Sequence, residues 1–271
     1  MKLGSLFSGG GLGDFGFMAA GMDIAWQCEI DEYCQKILAL RYPDSKKYRD
    51  IKTLKGAYLE PVDILTGGFP CQPFSVAGKQ KGKEDNRYLW PEMLRVIKEC
   101  RPRWIVGENV PGIINMALDT VCLDLEAEGY EVWPIVFPSH ALGAWHKRDR
   151  LWIICNATSE GLEGATRTSI QGHINGSSSS SQVISDTRCK HGTWNTEKLE
   201  TNTSEWSTIK LSLESGCKRF RRFWSAEPNV GRVANGITDR VHRLKMLGNG
   251  QVPACTYVIG RMIMDIERGE N

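Results

Sequence analysis

The sequence predicts an α/β fold, a central sheet with helices on both faces, and three observations support this class. Short apolar runs at residues 3–7, 62–66 and 104–107 are typical of buried strands. Apolar residues recur at helical spacing over residues 89–97, between two of these runs. Each run is followed by glycine or a polar residue, and open α/β sheets bind ligands at the carboxyl ends of their strands. The 271 residues suffice for one large domain or for a domain with a small insert.

The first strand leads into a glycine-rich loop at residues 8–16. Glycines let the backbone approach a ligand closely, and the helix after them can present its N-terminal amides. Residues 11–16 fit the dinucleotide-binding pattern G-x-G-x-x-G. The next strand, at 24–28, ends at Glu29, where an acid can bind ribose hydroxyls. This part of the chain predicts a Rossmann-like site for an adenosine-containing cofactor and leaves its identity open.

A second distinctive segment, GGFPCQPFS at residues 67–75, follows the strand at 62–66. Its two glycines allow a sharp exit from the strand, and Pro70 and Pro73 stiffen the backbone on either side of Cys71. A buried structural cysteine needs no such rigid frame. The segment therefore favours a catalytic nucleophile over a core cysteine.

This segment resembles the catalytic motif of the cytosine-5 DNA methyltransferases, and further motifs of that family follow in the expected order. Residues 108–110 resemble its Glu-Asn-Val motif, whose glutamate holds the target base. Its Gln-x-Arg-x-Arg motif is matched by Arg148 and Arg150, with His146 in place of the glutamine. LGNGQVP, at 247–253, is similar to the last motif, with a glycine where serine or alanine is commoner.

The resemblance implies a fold and a reaction. The fold is that of S-adenosylmethionine-dependent methyltransferases, and the reaction is methyl transfer to carbon 5 of a flipped-out cytosine in duplex DNA. Cys71, as a thiolate, is expected to add to carbon 6 of the base, and Glu108 to supply a proton at ring nitrogen 3. Arg148 and Arg150 are expected to hydrogen-bond the ring carbonyl or to steady the loop. His146 is left out of this catalytic set.

The resemblance also implies binding residues for the cofactor, and basic and polar side chains give candidate contacts for the DNA. Phe7 is expected to stack on the adenine of S-adenosyl-L-methionine and Asp50 to bind the adenine amine. The full expected cofactor set is Phe7, Gly9, Gly11, Glu29, Ile30, Asp50, Ile51, Pro70 and Asn249. The expected DNA contacts are Gln72, Ser75, Lys79, Arg87, Arg219 and Arg221. A glycine- and lysine-rich stretch at 76–87 is typical of a solvated surface loop and also of a flap that closes over the DNA, and one segment can be both.

Composition changes after residue 155 and divides the chain. Residues 156–226 are rich in Ser, Thr, Gly and Asn, which predicts a loop-rich insert, and the family places its target recognition region here. Basic and aromatic residues interleave at 218–224, as in a DNA backbone contact or an ordinary solvated edge. Residues 1–155 and 227–271 then form the catalytic domain. An apolar stripe at 252–266 predicts a C-terminal helix, which in the family packs beside the glycine loop.

The composition limits which binding partners and which cellular compartment we expect for this protein. A net charge of +2 neither supports nor excludes DNA binding, because a balanced protein can carry a basic face. Nine irregularly spaced cysteines, without a zinc-type cluster, predict reduced thiols in a cytoplasm and no metal site. No apolar run is long enough to cross a bilayer. We expect a monomer in a bacterial or phage-infected cell, acting on double-stranded DNA, with a cognate restriction endonuclease as a candidate partner and no membrane.

Three other functions remain open at this point. An RNA cytosine-5 methyltransferase would share the chemistry, although the Cys-Phe-Thr tripeptide of its tRNA-acting relatives does not occur here. A nicotinamide oxidoreductase accounts for residues 11–16 and leaves the segments around Cys71 and Glu108 unexplained. A catalytically silent DNA-binding relative would also carry the motifs.

Overall fold

The computed structural model describes residues 1–70, 88–158 and 239–269. Its strands are, in chain order, β1 (Lys2–Leu6), β2 (Asp23–Cys28), β3 (Lys46–Tyr48), β4 (Ile64–Gly67), β5 (Trp104–Asn109), β6 (Tyr130–Pro138) and β7 (Asp149–Ala157). They form one seven-stranded sheet in the order β3-β2-β1-β4-β5-β7-β6. Neighbouring strands from β3 to β5 pair in parallel, whereas β7 runs antiparallel to both β5 and β6. The sheet is therefore mixed.

Helices connect and follow these strands. They are α1 (Leu12–Ala19), α2 (Glu32–Arg41), α3 (Trp90–Cys100), α4 (Leu118–Ala127), α5 (Arg240–Asn249) and α6 (Pro253–Arg268). Short 3₁₀ turns lie at Ile51–Thr53, Gly56–Tyr58, Pro111–Ile113 and Ser139–Leu142. Within the described ranges, no helix has the length and apolar character needed to cross a membrane.

Both faces of the sheet are buried, because the two-residue period of a strand sends alternate side chains to opposite sides. In β7, Ile153 and Cys155 join a core that includes buried residues of α3 and α4. Trp152 and Ile154 of the same strand join a second core, with buried residues of α1 and α6. The two cores confirm the prediction of an α/β fold with helices on both faces.

The C-terminal helix α6 packs directly on α1, behind the glycine loop. A Cβ at Gly16 would lie 2.0 Å from Thr256 Oγ1 and 2.2 Å from the carbonyl oxygen of Pro253, so this contact requires glycine. Most of the apolar stripe predicted at 252–266 is buried, but Ile266, in the last turn, is 47% exposed. The expected packing of this helix beside the glycine loop is confirmed.

The structure also contains two elements that the sequence did not indicate, α2 and β3. Helix α2 buries only Cys34 and Leu38, so its apolar pattern is weak. Its start is fixed by Asp31, whose Oδ1 accepts the N–H of Tyr33 at 3.0 Å. Strand β3 has three residues, too few for a period to show. Strand β4 begins at Ile64, two residues later than predicted.

Candidate active site

A cleft lies at the carboxyl ends of β1, β4 and β5. It is lined by residues 5–9, 13–14, 66–68, 108 and 249–251. Parallel strands end at the same edge of a sheet, and for this reason residues distant in sequence meet here. Among the predicted site residues, the structure brings Phe7, Gly9, Glu108 and Asn249 to this cleft.

The carboxylate of Glu29 holds the glycine loop. Gly9 N–H donates to Glu29 Oε2 at 2.7 Å, and Asp31 N–H donates to Glu29 Oε1 at 2.8 Å. A Cβ at Gly9 would meet nothing within 4 Å, so the loop borders open space here. Phe7 lies beyond β1 rather than inside it, with a φ of 55° that costs a non-glycine residue free energy. Phe7 thus lines the cleft, and Glu29 is fixed beside the lining residue Gly9; the contacts of both with a cofactor stay predictions.

Gly11 serves packing and does not line the described cleft. Its φ is 74°, and its carbonyl oxygen accepts the hydroxyl of Tyr42 at 2.5 Å. A Cβ at this position would lie 2.4 Å from the Tyr42 ring. Glycine is therefore required for the loop to pack against the end of α2.

The residues predicted for the adenine end follow the neighbouring strands β2 and β3. Ile30 is 64% exposed, whereas Ile51 is 5% exposed and belongs to the core. Asp50 Oδ1 accepts the N–H of Lys52 at 2.9 Å and so caps a 3₁₀ turn. Neither these residues nor the part-buried Pro70 line the described cleft. Their roles in adenine binding remain predictions.

The sequence did not indicate the buried carboxyl that lies at the floor of the cleft. Asp14, in the first turn of α1, is 2% exposed. Ser5 Oγ donates to Asp14 Oδ1 at 2.7 Å, and Gln27 Nε2 donates to Oδ2 at 2.5 Å. Burial raises the pKa of Asp14 to about 6, although the two hydrogen bonds act to lower it. Acids are common in first helical turns, so the sequence offered no sign of this role.

Glu108, at the end of β5, is 9% exposed and paired with Arg150 of β7. Arg150 Nε lies 2.9 Å from Glu108 Oε1. Oε2 makes no hydrogen bond with any described residue and lies 2.8 Å from the position of a Cβ at Gly68. Burial raises the pKa of the Glu108 carboxyl, and the positive charges of Arg150 and Arg148 oppose that rise. A buried carboxyl of this kind can donate a proton into the cleft.

Arg148 binds the C-terminal wall of the cleft. Its Nη2 donates to the carbonyl oxygens of Gly248, at 2.9 Å, and Gly250, at 2.6 Å. Its φ of 36° is in the left-handed region. Arg148 therefore joins the strand that carries Arg150 to the segment that carries Asn249.

The backbone that leads to Cys71 is fixed by β5. Asn109 Nδ2 donates to the carbonyl oxygen of Phe69 at 3.1 Å. The centroids of the Phe69 and Trp90 rings lie 5.1 Å apart. Trp90 itself is buried in the core. Seven predicted site residues lie outside the described ranges: Cys71, Gln72, Ser75, Lys79, Arg87, Arg219 and Arg221.

Comparison with known sequences gives a consistent family. A family profile described as C-5 cytosine-specific DNA methylase matches residues 1–251. The chain is 44% identical over 124 residues to Type II methyltransferase M.AquIA of Picosynechococcus sp., covering 42% of this chain and 50% of that protein. It is 38% identical over 161 residues to Type II methyltransferase M.PspPI of Psychrobacter sp., covering 56% and 39%. The chain thus spans half or less of the length of these curated relatives.

Comparison with solved structures gives the same fold. An E. coli protein described as a DNA modification methyltransferase encoded within a prophage superposes with a TM-score of 0.61 at 17% identity, covering 99% of both chains. A Spodoptera frugiperda DNMT2 variant superposes with a TM-score of 0.59 at 13% identity, covering 97% of this chain and 99% of that one. At these identities the likeness concerns the fold alone.

Proposed function

Because this chain belongs to the C-5 cytosine-specific DNA methylase family, we propose that it methylates carbon 5 of cytosine within a specific duplex DNA sequence. This proposal rests on the burial and the contacts of the Glu108 carboxyl. Its buried carboxyl has one oxygen paired with Arg150 and the other facing the cleft beside Gly68. This arrangement supports Glu108 as the proton donor for the base, beside the turn that continues into the cysteine segment.

S-adenosyl-L-methionine is the proposed methyl donor, and the cleft residues fit it. Open space borders Gly9, and the carboxylate of Glu29 is fixed beside that space, where ribose hydroxyls can reach it. Phe7 would lie against the adenine, and Asp50 would bind the adenine amine. When bound, this cofactor supplies a methyl group on a positively charged sulfur, which an electron-rich carbon can accept.

Cys71 is the proposed nucleophile. It directly follows Pro70 in the sequence. Its sulfur would bond to carbon 6 of cytosine while Glu108 gives its proton to ring nitrogen 3, which leaves the electron pair of the 5,6 bond at carbon 5. After carbon 5 takes the methyl group, its proton leaves to water. The electron pair of the broken carbon 5–hydrogen bond re-forms the 5,6 double bond, and the Cys71 sulfur leaves carbon 6 as a thiolate. The proton on ring nitrogen 3 returns to Glu108.

Arg150 and Arg148 support this chemistry in different ways. Arg150 holds Glu108 in place and would also reach the ring carbonyl. Arg148 binds the carbonyl oxygens of Gly248 and Gly250, and it would act by holding this side of the cleft in position. The target base must leave the duplex to enter the cleft, which costs a few kcal/mol. We propose that contacts from the stretch 76–87 and the insert 156–226 offset that cost and select the sequence.

A direct test is bisulfite sequencing of DNA from cells that lack other cytosine methylases and express either this chain or its Cys71→Ala variant. We expect methylated cytosines in one fixed sequence context with the wild-type chain and none with the variant. Purified protein, given labelled S-adenosyl-L-methionine and either duplex DNA or transfer RNA, distinguishes the substrates. Label in RNA alone would overturn the DNA assignment. The names of the type II relatives further suggest protection against a cognate restriction endonuclease.

A further inference from the structure

The connection between β6 and β7, residues 139–148, lies at the same edge of the sheet as the cleft. Strand β7 is antiparallel to both of its neighbours, so β6 runs in the same direction as β5 and ends at the edge where β5 ends. Arg148, the last residue of this connection, donates to the carbonyl oxygen of Gly250, which lines the cleft. The connection therefore adjoins the cleft that contains Glu108.

This connection presents an exposed tryptophan, Trp145, whose surface is 67% exposed. Four of the other five tryptophans in the described ranges are buried, and Trp133 is 40% exposed. An indole ring can bury a large apolar surface, so its exposure to water costs free energy. A large apolar side chain exposed next to a cleft indicates a surface that a partner covers.

The backbone on both sides of Trp145 is fixed by contacts within the protein. Ser139 N–H donates to the carbonyl oxygen of Lys147 at 3.0 Å, and Ala144 N–H donates to that of Ser139 at 3.3 Å. The side chains of Leu142 and Ala144 are buried and anchor the connection to the core. Little conformational entropy is therefore lost from this backbone when the indole ring meets a partner.

The charges next to Trp145 indicate which partner fits. Residues 145–150 contain three cations, Lys147, Arg148 and Arg150, and one carboxylate, Asp149. Lys147 is exposed, and its ion pair with Asp149, at 2.9 Å, is weak enough to be exchanged for another anion. Cations that contact phosphates, together with an aromatic ring that stacks on bases, are the combination that binds nucleic acid.

We propose that Trp145 binds the DNA substrate by stacking its indole ring on a base beside the flipped-out cytosine. Base flipping leaves neighbouring bases without a stacking partner, and an aromatic ring can cover the face of one of them. This inference rests on the proposed function, because it concerns the DNA that the same cleft would bind. It assigns to Trp145 a contact that stabilises the opened DNA and takes no part in the chemistry of Glu108.

Binding of the full chain to duplex DNA, measured by fluorescence anisotropy without cofactor, tests this contact. The duplex carries the sequence context that bisulfite sequencing identifies. Trp145→Leu keeps an apolar side chain and removes the ring, so this variant should bind roughly ten- to hundredfold more weakly. Trp145→Phe keeps an aromatic face and should recover most of that loss. Trp133→Leu, the same change at an exposed tryptophan in the middle of β6, is the control and should bind as the wild type does.

A second set of duplexes locates the stacked base. Each duplex lacks one base, either opposite the target cytosine or next to it. At one of these positions the ratio of the wild-type and Trp145→Leu affinities should fall to about one, because the ring then has no base to cover. The slope of log affinity against log salt concentration should be the same in both proteins, because Trp145→Leu removes no phosphate contact.

The outcomes separate this contact from the proposed function. Trp145→Leu should keep the wild-type melting temperature, because the side chain that it replaces is exposed. Equal binding by the wild type and Trp145→Leu, an affinity ratio that no missing base changes, or a changed salt slope would overturn the inference and leave the proposed function in place. A wild-type chain that neither binds nor methylates duplex DNA would contradict the proposed function, and the inference with it.

Discussion

Asp14 and Glu108 are two buried carboxyls on one cleft, and their surroundings differ. Asp14 has both oxygens occupied by neutral donors, the hydroxyl of Ser5 and the amide of Gln27. Glu108 has one oxygen paired with the charged guanidinium of Arg150, and its other oxygen faces Gly68 without a described partner. Burial raises the pKa of both carboxyls.

The difference separates a carboxyl that is engaged within the fold from the one that we propose as the acid. A carboxyl whose oxygens both accept internal hydrogen bonds cannot approach a substrate without breaking that network. A carboxyl with one free oxygen, oriented by an arginine through the other, can donate a proton directly. A raised pKa alone would have made Asp14 and Glu108 equal candidates. The hydrogen-bond partners, rather than the pKa, single out Glu108.

The largest effect on turnover among substitutions at these two carboxyls is expected for Glu108→Gln. The amide keeps the shape and loses the proton, so the rate of methyl transfer should fall by roughly 10²- to 10⁴-fold. Single-turnover assays with labelled S-adenosyl-L-methionine measure this rate. Glu126→Gln, the same change on the exposed face of α4, is the matched control and should retain the wild-type rate. Wild-type turnover in Glu108→Gln would place the acid elsewhere.

A smaller loss is expected for Arg150→Met, which removes the partner of Glu108. Poor orientation of the acid should lower turnover by about 10²-fold. The positive charge of Arg150 now lowers the Glu108 pKa, so its removal should raise that pKa and move the fall in activity at alkaline pH to higher pH. Arg261→Met, which breaks the Arg261–Asp265 ion pair on α6, is the control. A pH–rate profile that does not move would separate Arg150 from the acid.

The smallest effect on turnover is expected for Asp14→Asn, whose main consequence is for stability. Asp14 has a pKa of about 6 in the fold against 3.8 as its ordinary value, so the fold favours the protonated form. Its contribution is fully present below pH 3.8 and is lost as pH rises to about 6, a loss of about 3 kcal/mol. Urea unfolding across this range measures it. The decline should be absent in Asp14→Asn, and an equal decline in both proteins would refute the shifted pKa.

The fold and part of the site could be predicted from the sequence because their signals are local. A buried strand, a glycine loop and the residue after a strand end each show in a few consecutive residues. These patterns indicated Phe7, Gly9 and Glu108, which line the cleft, and Glu29, which holds Gly9. The reversed direction of β7 does not show in a single segment, because strand direction depends on partners distant in sequence. Strand β3 is too short, and helix α2 too weakly amphipathic, for the hydrophobic pattern to predict either element.

The parts of the site that escaped prediction are pairings between distant elements. Gln251 meets Gly13 and Gly68, and Asp14 meets Gln27, only after the sheet and α6 have assembled. No local pattern encodes such contacts. At Gly11 the sequence pattern was local but the contact was not. The loop pattern indicated this glycine for cofactor binding, whereas the space beside it is filled by the Tyr42 ring.

A trapping experiment tests the proposed covalent bond between Cys71 and carbon 6, with Glu108 as the acid. Fluorine on carbon 5 cannot leave as a cation, so duplex DNA with 5-fluorocytosine in the target context should hold the protein after methyl transfer. We predict a band that survives denaturing electrophoresis, requires S-adenosyl-L-methionine, forms more slowly in Glu108→Gln and is absent in Cys71→Ala. A band that persists in Cys71→Ala, or a wild-type protein that methylates ordinary DNA but forms no such band with the fluorinated DNA, would rule out Cys71 as the nucleophile.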